Sequence, residues 1–167
     1  MDQVKKINPK ILKPDMRILG IDPGSLTGYC LNTPFIFGHW DFKPHRYESG
    51  GMRYIRFRNK LDEIHTATKL DLVAFEEIIF HQTSLSAQVY GGLVSHLMVW
   101  AEENKVEYVG VNPGTWKRYV CGKGNAGKPK VAKAIQEQYD LNPQTFDESD
   151  AIGILKWAEN EFIHTKK

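Results

Sequence analysis

Residues 18–31, ILGIDPGSLTGYCL, decide the fold of this chain. An apolar run ends at Asp22, the turn Pro23-Gly24 follows, and a second strand-like run comes directly after the turn. The pattern predicts two buried strands joined by a tight turn. An unpaired carboxylate at the end of a buried strand costs free energy. Asp22 is therefore either an ordinary turn acid or a residue whose charge another group neutralises.

The composition indicates one globular domain. The chain has 167 residues, of which 41% are hydrophobic and 25% are charged, and this length supports one substantial core. No apolar run approaches the roughly 20 residues of a membrane helix, and no secretory signal is present. The two cysteines lack a metal-binding or disulfide spacing, which predicts free thiols in a reducing compartment. We predict a basic N-terminal extension over residues 1–15 and a single domain over residues 16–167.

Hydrophobic periodicity predicts an α/β fold. The predicted strands are residues 17–22, 26–31, 35–42, 71–80 and 106–113. The predicted helices are residues 48–69, 84–103, 113–120, 128–139 and 147–163. Three antiparallel strands followed by alternating helices and strands indicate a sheet with helices on its faces. In the first helix, Ile55, Leu61 and Ile64 are expected on the inner face, together with Tyr54 or Phe57.

Two stretches carry an excess of cations although the net charge is only +2. Residues 43–60 contain Lys43, Arg46, Arg53, Arg56, Arg58 and Lys60, and residues 117–133 contain Lys117, Arg118, Lys123, Lys128, Lys130 and Lys133. Either stretch could be a solvated face. Clustered cations also form the electrostatic footprint of a phosphate backbone.

Acidic residues occupy positions that packing alone does not favour. Asp22 ends the first strand, Glu76 lies inside a later apolar run, and Asp147 and Asp150 open the last helix. The spacing of the last two places both on one helix face, which continues through apolar residues toward the sheet. Taken singly, Asp22 suits a turn and Asp147 suits a helix N-cap. Together the four acids predict a site for a hard divalent cation, Mg²⁺ or Mn²⁺ rather than zinc.

Four segments resemble, in order and approximate spacing, the RuvC family of Holliday-junction resolvases within the ribonuclease-H-like nucleases. They are IDPGSLTGY (21–29), VAFEE (73–77), VNPGTWKRYVCGKGNAGKPKVAKAI (111–135) and FDESDAIGI (146–154). The resemblance implies a ribonuclease-H-like mixed five-stranded sheet flanked by helices on both faces. It also implies an endonuclease that resolves four-way DNA junctions by paired symmetric nicks, leaving 5′-phosphates.

The resemblance assigns roles to individual residues. Asp22, Glu76, Asp147 and Asp150 would be catalytic metal ligands for two Mg²⁺ ions, with Mn²⁺ a possible substitute, and Lys117 and Lys128 would be catalytic lysines. DNA contacts are expected from Lys117, Arg118, Lys123, Lys128, Lys130, Phe80 and His81. Residues 84–103 would form the helix of a homodimer, with Gly91, Gly92 and Leu93 near its middle.

The chain also departs from the family pattern. Glu77 follows Glu76, so either glutamate could be the ligand. The position of a base-stacking aromatic residue in some members falls at Ile79, with Phe80 beside it. The basic extension indicates a phage-type or otherwise divergent member, expected in the cytoplasm of a bacterium or phage-infected host. The alternatives are a ribonuclease-H-like branch or flap nuclease and a non-catalytic junction-binding protein.

Overall fold

The computed structural model describes residues 13–164, so most of the predicted N-terminal extension lies outside the described residues. The strands are β1 (Ile18–Asp22), β2 (Leu26–Asn32), β3 (Phe35–Asp41), β4 (Leu72–Glu76) and β5 (Glu107–Val111). The helices are α1 (Met52–Thr68), α2 (Ser84–Asn104), α3 (Pro113–Cys121), α4 (Lys128–Tyr139) and α5 (Phe146–Glu159), and a π-helical turn, Asn160–His164, follows α5. All ten predicted elements are present.

The five strands form one mixed sheet in the order β3-β2-β1-β4-β5. β1 pairs antiparallel with β2, and β2 pairs antiparallel with β3. β1 pairs parallel with β4, and β4 pairs parallel with β5. The three parallel strands therefore finish at one end of the sheet, here termed the carboxyl end. The predicted mixed five-stranded sheet is confirmed.

Helices cover both faces of the sheet. On one face, α1 and α2 pack Phe57, Leu61 and Leu97 into a core that includes Ile21 and Phe75. On the other face, α3, α4 and α5 form a second core with the alternate residues of β1 and β4. Because both faces are covered, every residue of β1 and β4 is buried. The predicted inward face of the last helix, Ala151, Ile154 and Ala158, is fully buried.

Glycine allows α5 to lie directly on the sheet. A Cβ atom added at Gly28 of β2 would stand 1.9 Å from the carbonyl oxygen of Asp147, and one added at Gly20 of β1 would stand 2.8 Å from that of Ala151. No side chain fits at either distance. The absence of a Cβ at these two positions therefore sets how closely the first turn of α5 approaches the carboxyl end of β1.

Two local expectations are wrong. The strand predicted over residues 71–80 ends at Glu76, because the Tyr90 hydroxyl accepts a hydrogen bond from the backbone N–H of Ile78 (3.0 Å) and draws the chain out of the sheet. Ile55 is 52% exposed. It lies on the opposite side of α1 from the buried Phe57, because residues two positions apart in a helix point about 200° away from each other around its axis.

The predicted free thiols are confirmed, and each core contains a buried tryptophan. Cys30 and Cys121 are free thiols. Trp100 and Trp116 are fully buried in the two cores. Within residues 13–164, each helix is too short or too polar to cross a membrane.

Candidate active site

Carboxylates gather at the carboxyl end of the sheet. Asp22 is the last residue of β1 and Glu76 the last residue of β4. The parallel register pairs Ile21 with Phe75, which places the two acids side by side. The first turn of α5, seated on Gly28, brings Asp147 and Asp150 to the same place. Asp22, Glu76 and Asp150 are only 9%, 8% and 5% exposed.

Burial and mutual repulsion make the ionised forms of these acids costly. Burial, followed by the charge of Glu76, raises the pKa of Asp150 to about 7. Burial also raises the pKa of Asp22 well above its usual value, with repulsion from Glu76, Asp150 and Asp147 adding to the effect. The pKa of Glu76 is raised by burial as well. Since one pKa unit corresponds to about 1.4 kcal/mol, the site stores unfavourable electrostatic free energy.

The side chains of Glu76 and Glu77 lie on opposite faces of the sheet. Glu76 faces α3, where its Oε2 accepts a hydrogen bond of 2.7 Å from the indole N–H of Trp116. The Tyr90 hydroxyl donates to the Glu76 carbonyl oxygen at 2.9 Å, which fixes the end of β4. Glu77 points to the opposite face, where it lines a cavity of about 150 Å³ beside α2. Glu76 is therefore the glutamate that shares a site with Asp22.

The N-terminus of α5 is capped without the use of the two aspartates. Thr145 is the N-cap, and its hydroxyl accepts from the N–H of Glu148 at 3.1 Å. Glu148 in turn accepts from the N–H of Gln144 at 2.6 Å. The alternative that Asp147 is the N-cap is therefore wrong. Asp150 Oδ1 is buried, and no atom of residues 13–164 forms a hydrogen bond with it.

These residues fit a divalent cation by their chemistry. The donor set consists of carboxylates, the ligands that Mg²⁺ and Mn²⁺ prefer. The orphaned oxygen of Asp150 and the mutual repulsion at Asp22 would both be relieved by a cation. In the part of the chain that the structure describes, no three His, Cys, Asp or Glu side chains are arranged so that together they could bind a metal ion. Glu76 is turned toward Trp116 instead.

Lys117 and Lys128 lie close enough to influence the carboxylates. Both lower the pKa of Glu76 and of Asp150, in opposition to the effect of burial. The Lys117 ammonium lies 5.6 Å from the centre of the Trp116 ring, and Lys128 is the first residue of α4. The structure therefore brings both predicted lysines to the site.

The loop between α3 and α4 carries further cations. Lys123 and Lys130 are exposed, as is Arg118 near the end of α3. A Cβ added at Gly124 would stand 2.8 Å from the carbonyl oxygen of Gly114, so the loop packs tightly against the start of α3. The predicted basic surface therefore lies on a fixed loop beside the carboxylates.

The loop of residues 77–83 follows Glu76 and carries the predicted aromatic contact. Phe80 is 90% exposed, and Ile79 is also exposed. His81 is half-buried against the ring of Tyr90, with ring centres 4.8 Å apart. Phe80 therefore projects freely beside the site, while His81 packs against the protein.

Comparison with known proteins identifies the family. No protein-family model matches the chain. The chain is 31% identical over 158 residues to the crossover junction endodeoxyribonuclease RuvC of Prochlorococcus marinus subsp. pastoris, a match covering 87% of this chain and 98% of that one. The chain belongs to the RuvC family. It is also 30% identical over 150 residues to the RuvC of Chlorobium phaeovibrioides, covering 83% of this chain and 78% of that one.

Solved structures confirm the fold. Thermus thermophilus RuvC in complex with a Holliday junction substrate matches with a TM-score of 0.74 at 23% identity, over 89% of this chain and 94% of that one. The yeast mitochondrial Holliday junction resolvase matches with a TM-score of 0.63 at 14% identity, over 93% and 83%. The predicted ribonuclease-H-like architecture and the resemblance to RuvC are both confirmed.

Two contacts near the carboxylates were not predicted from the sequence. Trp116 lies in the core, and its indole N–H also donates to Glu76. The Nδ1 atom of His39 in β3 lies 2.8 Å from the nearly buried Oε1 of Glu148. Residues 39 and 148 are 109 positions apart. The spacing of residues carries no information about such a pair.

Proposed function

We propose that this RuvC-family protein is a Holliday-junction resolvase. It cuts two strands of a four-way DNA junction by symmetric nicks that leave 5′-phosphates. The observation that supports the proposal most directly is the position of Asp22, Glu76, Asp147 and Asp150 at the carboxyl end of the sheet. The family likeness supports it, since the relative that is 31% identical is a crossover junction endodeoxyribonuclease.

The four carboxylates are the proposed ligands of divalent cations. RuvC-like resolvases are metal-dependent nucleases, and we propose two Mg²⁺ ions per site, with Mn²⁺ as a substitute. When bound, the ions neutralise the carboxylates and supply Lewis-acid activation at the scissile phosphate. Asp22 is held rigidly because it is the last residue of β1. Trp116 fixes the orientation of the Glu76 side chain through its indole N–H.

Lys117 and Lys128 are proposed to act on the phosphate. Both lie near Glu76 and Asp150, as their effect on the pKa of those acids indicates. An ammonium group beside the scissile phosphate binds its oxygens and stabilises the charge that builds up during cleavage. The exposed Arg118, Lys123 and Lys130 extend this contact along the DNA backbone.

Phe80 is proposed to stack on a base near the cut. It is the most exposed aromatic side chain of the loop that follows Glu76, and stacking on an aromatic ring accepts any base. His81 supports the loop through its contact with Tyr90 and completes the DNA contact.

A homodimer is proposed through the outer face of α2. Gly91 is exposed, and Leu85 and Val99 are exposed apolar residues of the same helix. Leu93 lies in the core, and a Cβ at Gly92 would stand 2.4 Å from the Tyr54 ring, so neither forms the outer surface. A two-fold dimer presents two equivalent sites to the two equivalent strands of a junction.

Cleavage of labelled substrates tests the proposal. A mobile four-way junction, a flap, a linear duplex and an RNA–DNA hybrid are incubated with Mg²⁺ and wild type, Asp22→Asn or Asp150→Asn. The control is Asp140→Asn, which removes an acid at the C-cap of α4. We expect paired nicks on the junction from wild type and the control, and none from the site variants. Preferential cleavage of flaps or hybrids, or tight junction binding without cleavage, would refute the proposal.

A further inference from the structure

The segment between β3 and α1 leaves the sheet beside the carboxylates. Asp41 at the end of β3 pairs with Leu26, and the N–H of Phe42 donates to the carbonyl oxygen of Ser25 at 2.8 Å. Residues 43–53 therefore begin next to the turn that follows Asp22. They continue on the α1 and α2 side of the sheet, opposite the lysine loop between α3 and α4.

Ion pairs divide the cations of residues 43–60 into two groups. Arg56 pairs with Glu48, Arg58 with Glu103, and Lys60 with Glu63. Within residues 13–164, Lys43, Arg46 and Arg53 have no carboxylate partner at ion-pair distance. The three unpaired cations belong to the segment nearest the carboxyl end. The three paired ones follow along α1.

The single acid of this segment is already engaged. Glu48 accepts from the N–H of His45 at 2.9 Å and pairs with the Arg56 guanidinium. The His45 amide, followed by Arg56, lowers the pKa of Glu48. Because Arg56 balances Glu48, the charges of Lys43, Arg46 and Arg53 remain available to a ligand.

Most of residues 43–53 are also exposed and accessible to a ligand. Tyr47 is 90% exposed, with the Arg46 guanidinium 5.3 Å from the centre of its ring. Within the described chain, no atom lies within 4 Å of where a Cβ at Gly50 or Gly51 would stand. Arg53 lines a groove of about 360 Å³ between the starts of α1 and α2. Leu85, in the first turn of α2, also lines this groove.

We propose that residues 43–53 form a second DNA-contact surface, which holds the phosphate backbone of a junction arm on the α1 and α2 side of the cut. Lys43, Arg46 and Arg53 contact phosphates, and Tyr47 packs against a sugar or base edge. The inference rests on the proposed function, because it concerns a duplex arm leaving the same site. DNA fits this surface because unpaired cations beside an exposed aromatic ring match phosphates with an adjacent base.

Salt-dependent binding tests the surface. The triple variant Lys43→Gln/Arg46→Gln/Arg53→Gln is compared with Arg58→Gln/Lys60→Gln/Lys133→Gln, which removes three cations that are held in ion pairs. Affinity for a synthetic four-way junction is measured in EDTA over a series of salt concentrations. Each phosphate contact contributes roughly 0.9 to the slope of log K against log salt. We expect the slope to fall by about 2–3 in the first triple variant and by less than about 1 in the control.

The outcomes separate this inference from the proposed function. Thermal unfolding of both triple variants confirms that they fold, and wild-type cleavage with Mg²⁺ is measured on the same junction. The first triple variant is expected to need a higher junction concentration than wild type for half-maximal cleavage. An unchanged slope in that variant, or an equal fall in both, would overturn the second surface even if wild type cuts junctions. A failure of wild type to cut junctions would instead overturn the proposed function.

Discussion

At the scale of single residues, the carboxylates of the site lower the stability of the folded protein. Asp22, Glu76 and Asp150 are buried together, and each has a raised pKa with burial as the largest cause. Asp150 Oδ1 has no hydrogen-bond partner in residues 13–164. A protein selected for stability alone would avoid such a cluster, so its presence is best explained by a ligand that carries positive charge.

Metal-free Asp150→Asn protein should be more stable than wild type at high pH. The folded state raises the pKa of Asp150 to about 7 from 3.8, so folded protein binds this proton more tightly than unfolded protein does. Its contribution to stability therefore falls as the pH rises from about 4 to about 7. Thermal unfolding in EDTA should show a gain on the order of 1–4 kcal/mol for the variant at about pH 8, and little or none at about pH 4. A variant less stable than wild type at pH 8 would contradict the electrostatic account.

The pair of His39 and Glu148 should stabilise the first turn of α5. His39→Ala leaves the nearly buried Oε1 of Glu148 without its partner, which should cost about 1–2 kcal/mol of unfolding free energy. Urea unfolding measures this loss, with His164→Ala as the control. A double-mutant cycle with Glu148→Gln should give a coupling energy of at least about 0.5 kcal/mol. Additive losses would show that the contact does no more than fill space.

At the scale of elements, the approach of α5 to β2 sets the position of Asp147. Gly28 permits that approach, because a Cβ there would overlap the backbone of Asp147. The glycines of residues 18–31 therefore serve the packing of a helix more than 115 residues later in the chain, as well as a turn. One helix and three strands together position the four acids.

Gly28→Ala should damage both stability and the site. The methyl group must displace α5 or β2, and such overpacking costs about 1–3 kcal/mol. Gly50→Ala is the matched control, because its added Cβ meets open space among the described residues. Urea unfolding should separate the two variants, and junction cleavage should be lost only in Gly28→Ala. Wild-type stability of Gly28→Ala would show that the helix adapts and that the close approach is unimportant.

Periodicity predicted the elements, but long-range contacts set their ends. The strand holding Glu76 was predicted to end four residues too late, because the Tyr90 hydroxyl, from α2, removes Ile78 from the sheet. The spacing of apolar residues predicted that Ile55 faces the core, but Phe57 faces the core and Ile55 is exposed. The four acids could be singled out from the sequence because each interrupts or adjoins an apolar run. The sequence could not reveal which face Glu76 and Glu77 take without the strand register.

At the scale of the whole molecule, one chain offers a single set of carboxylates, whereas a four-way junction needs two equivalent cuts. The outer face of α2 carries the exposed Gly91 and Val99 on a regular 21-residue helix. Pairing of two copies through this face would give the two-fold symmetry that paired nicking requires.

Gly91→Arg should abolish the proposed dimer without harming the fold. Within residues 13–164, an added Cβ at Gly91 meets open space, and arginine favours a helix more than glycine does. At protein concentrations where wild type is also monomeric, the variant should therefore unfold at the same temperature as wild type or a higher one. Analytical ultracentrifugation should show a monomer, and junction cleavage should change from paired to single nicks. The control Gly91→Ala should remain dimeric, and a dimeric Gly91→Arg protein would place the interface elsewhere.

The most direct test of the central claim compares two adjacent glutamates. Glu76 shares a site with Asp22, whereas Glu77 faces a separate cavity beside α2. Cleavage of a labelled four-way junction with Mg²⁺ is measured for Glu76→Gln and Glu77→Gln, which carry the same chemical change at neighbouring positions. The account predicts that Glu76→Gln lowers the cleavage rate by a hundredfold or more, on the order expected for loss of a group that stabilises the transition state, while Glu77→Gln cuts at nearly the wild-type rate. Cleavage retained by Glu76→Gln, or lost only in Glu77→Gln, would contradict it.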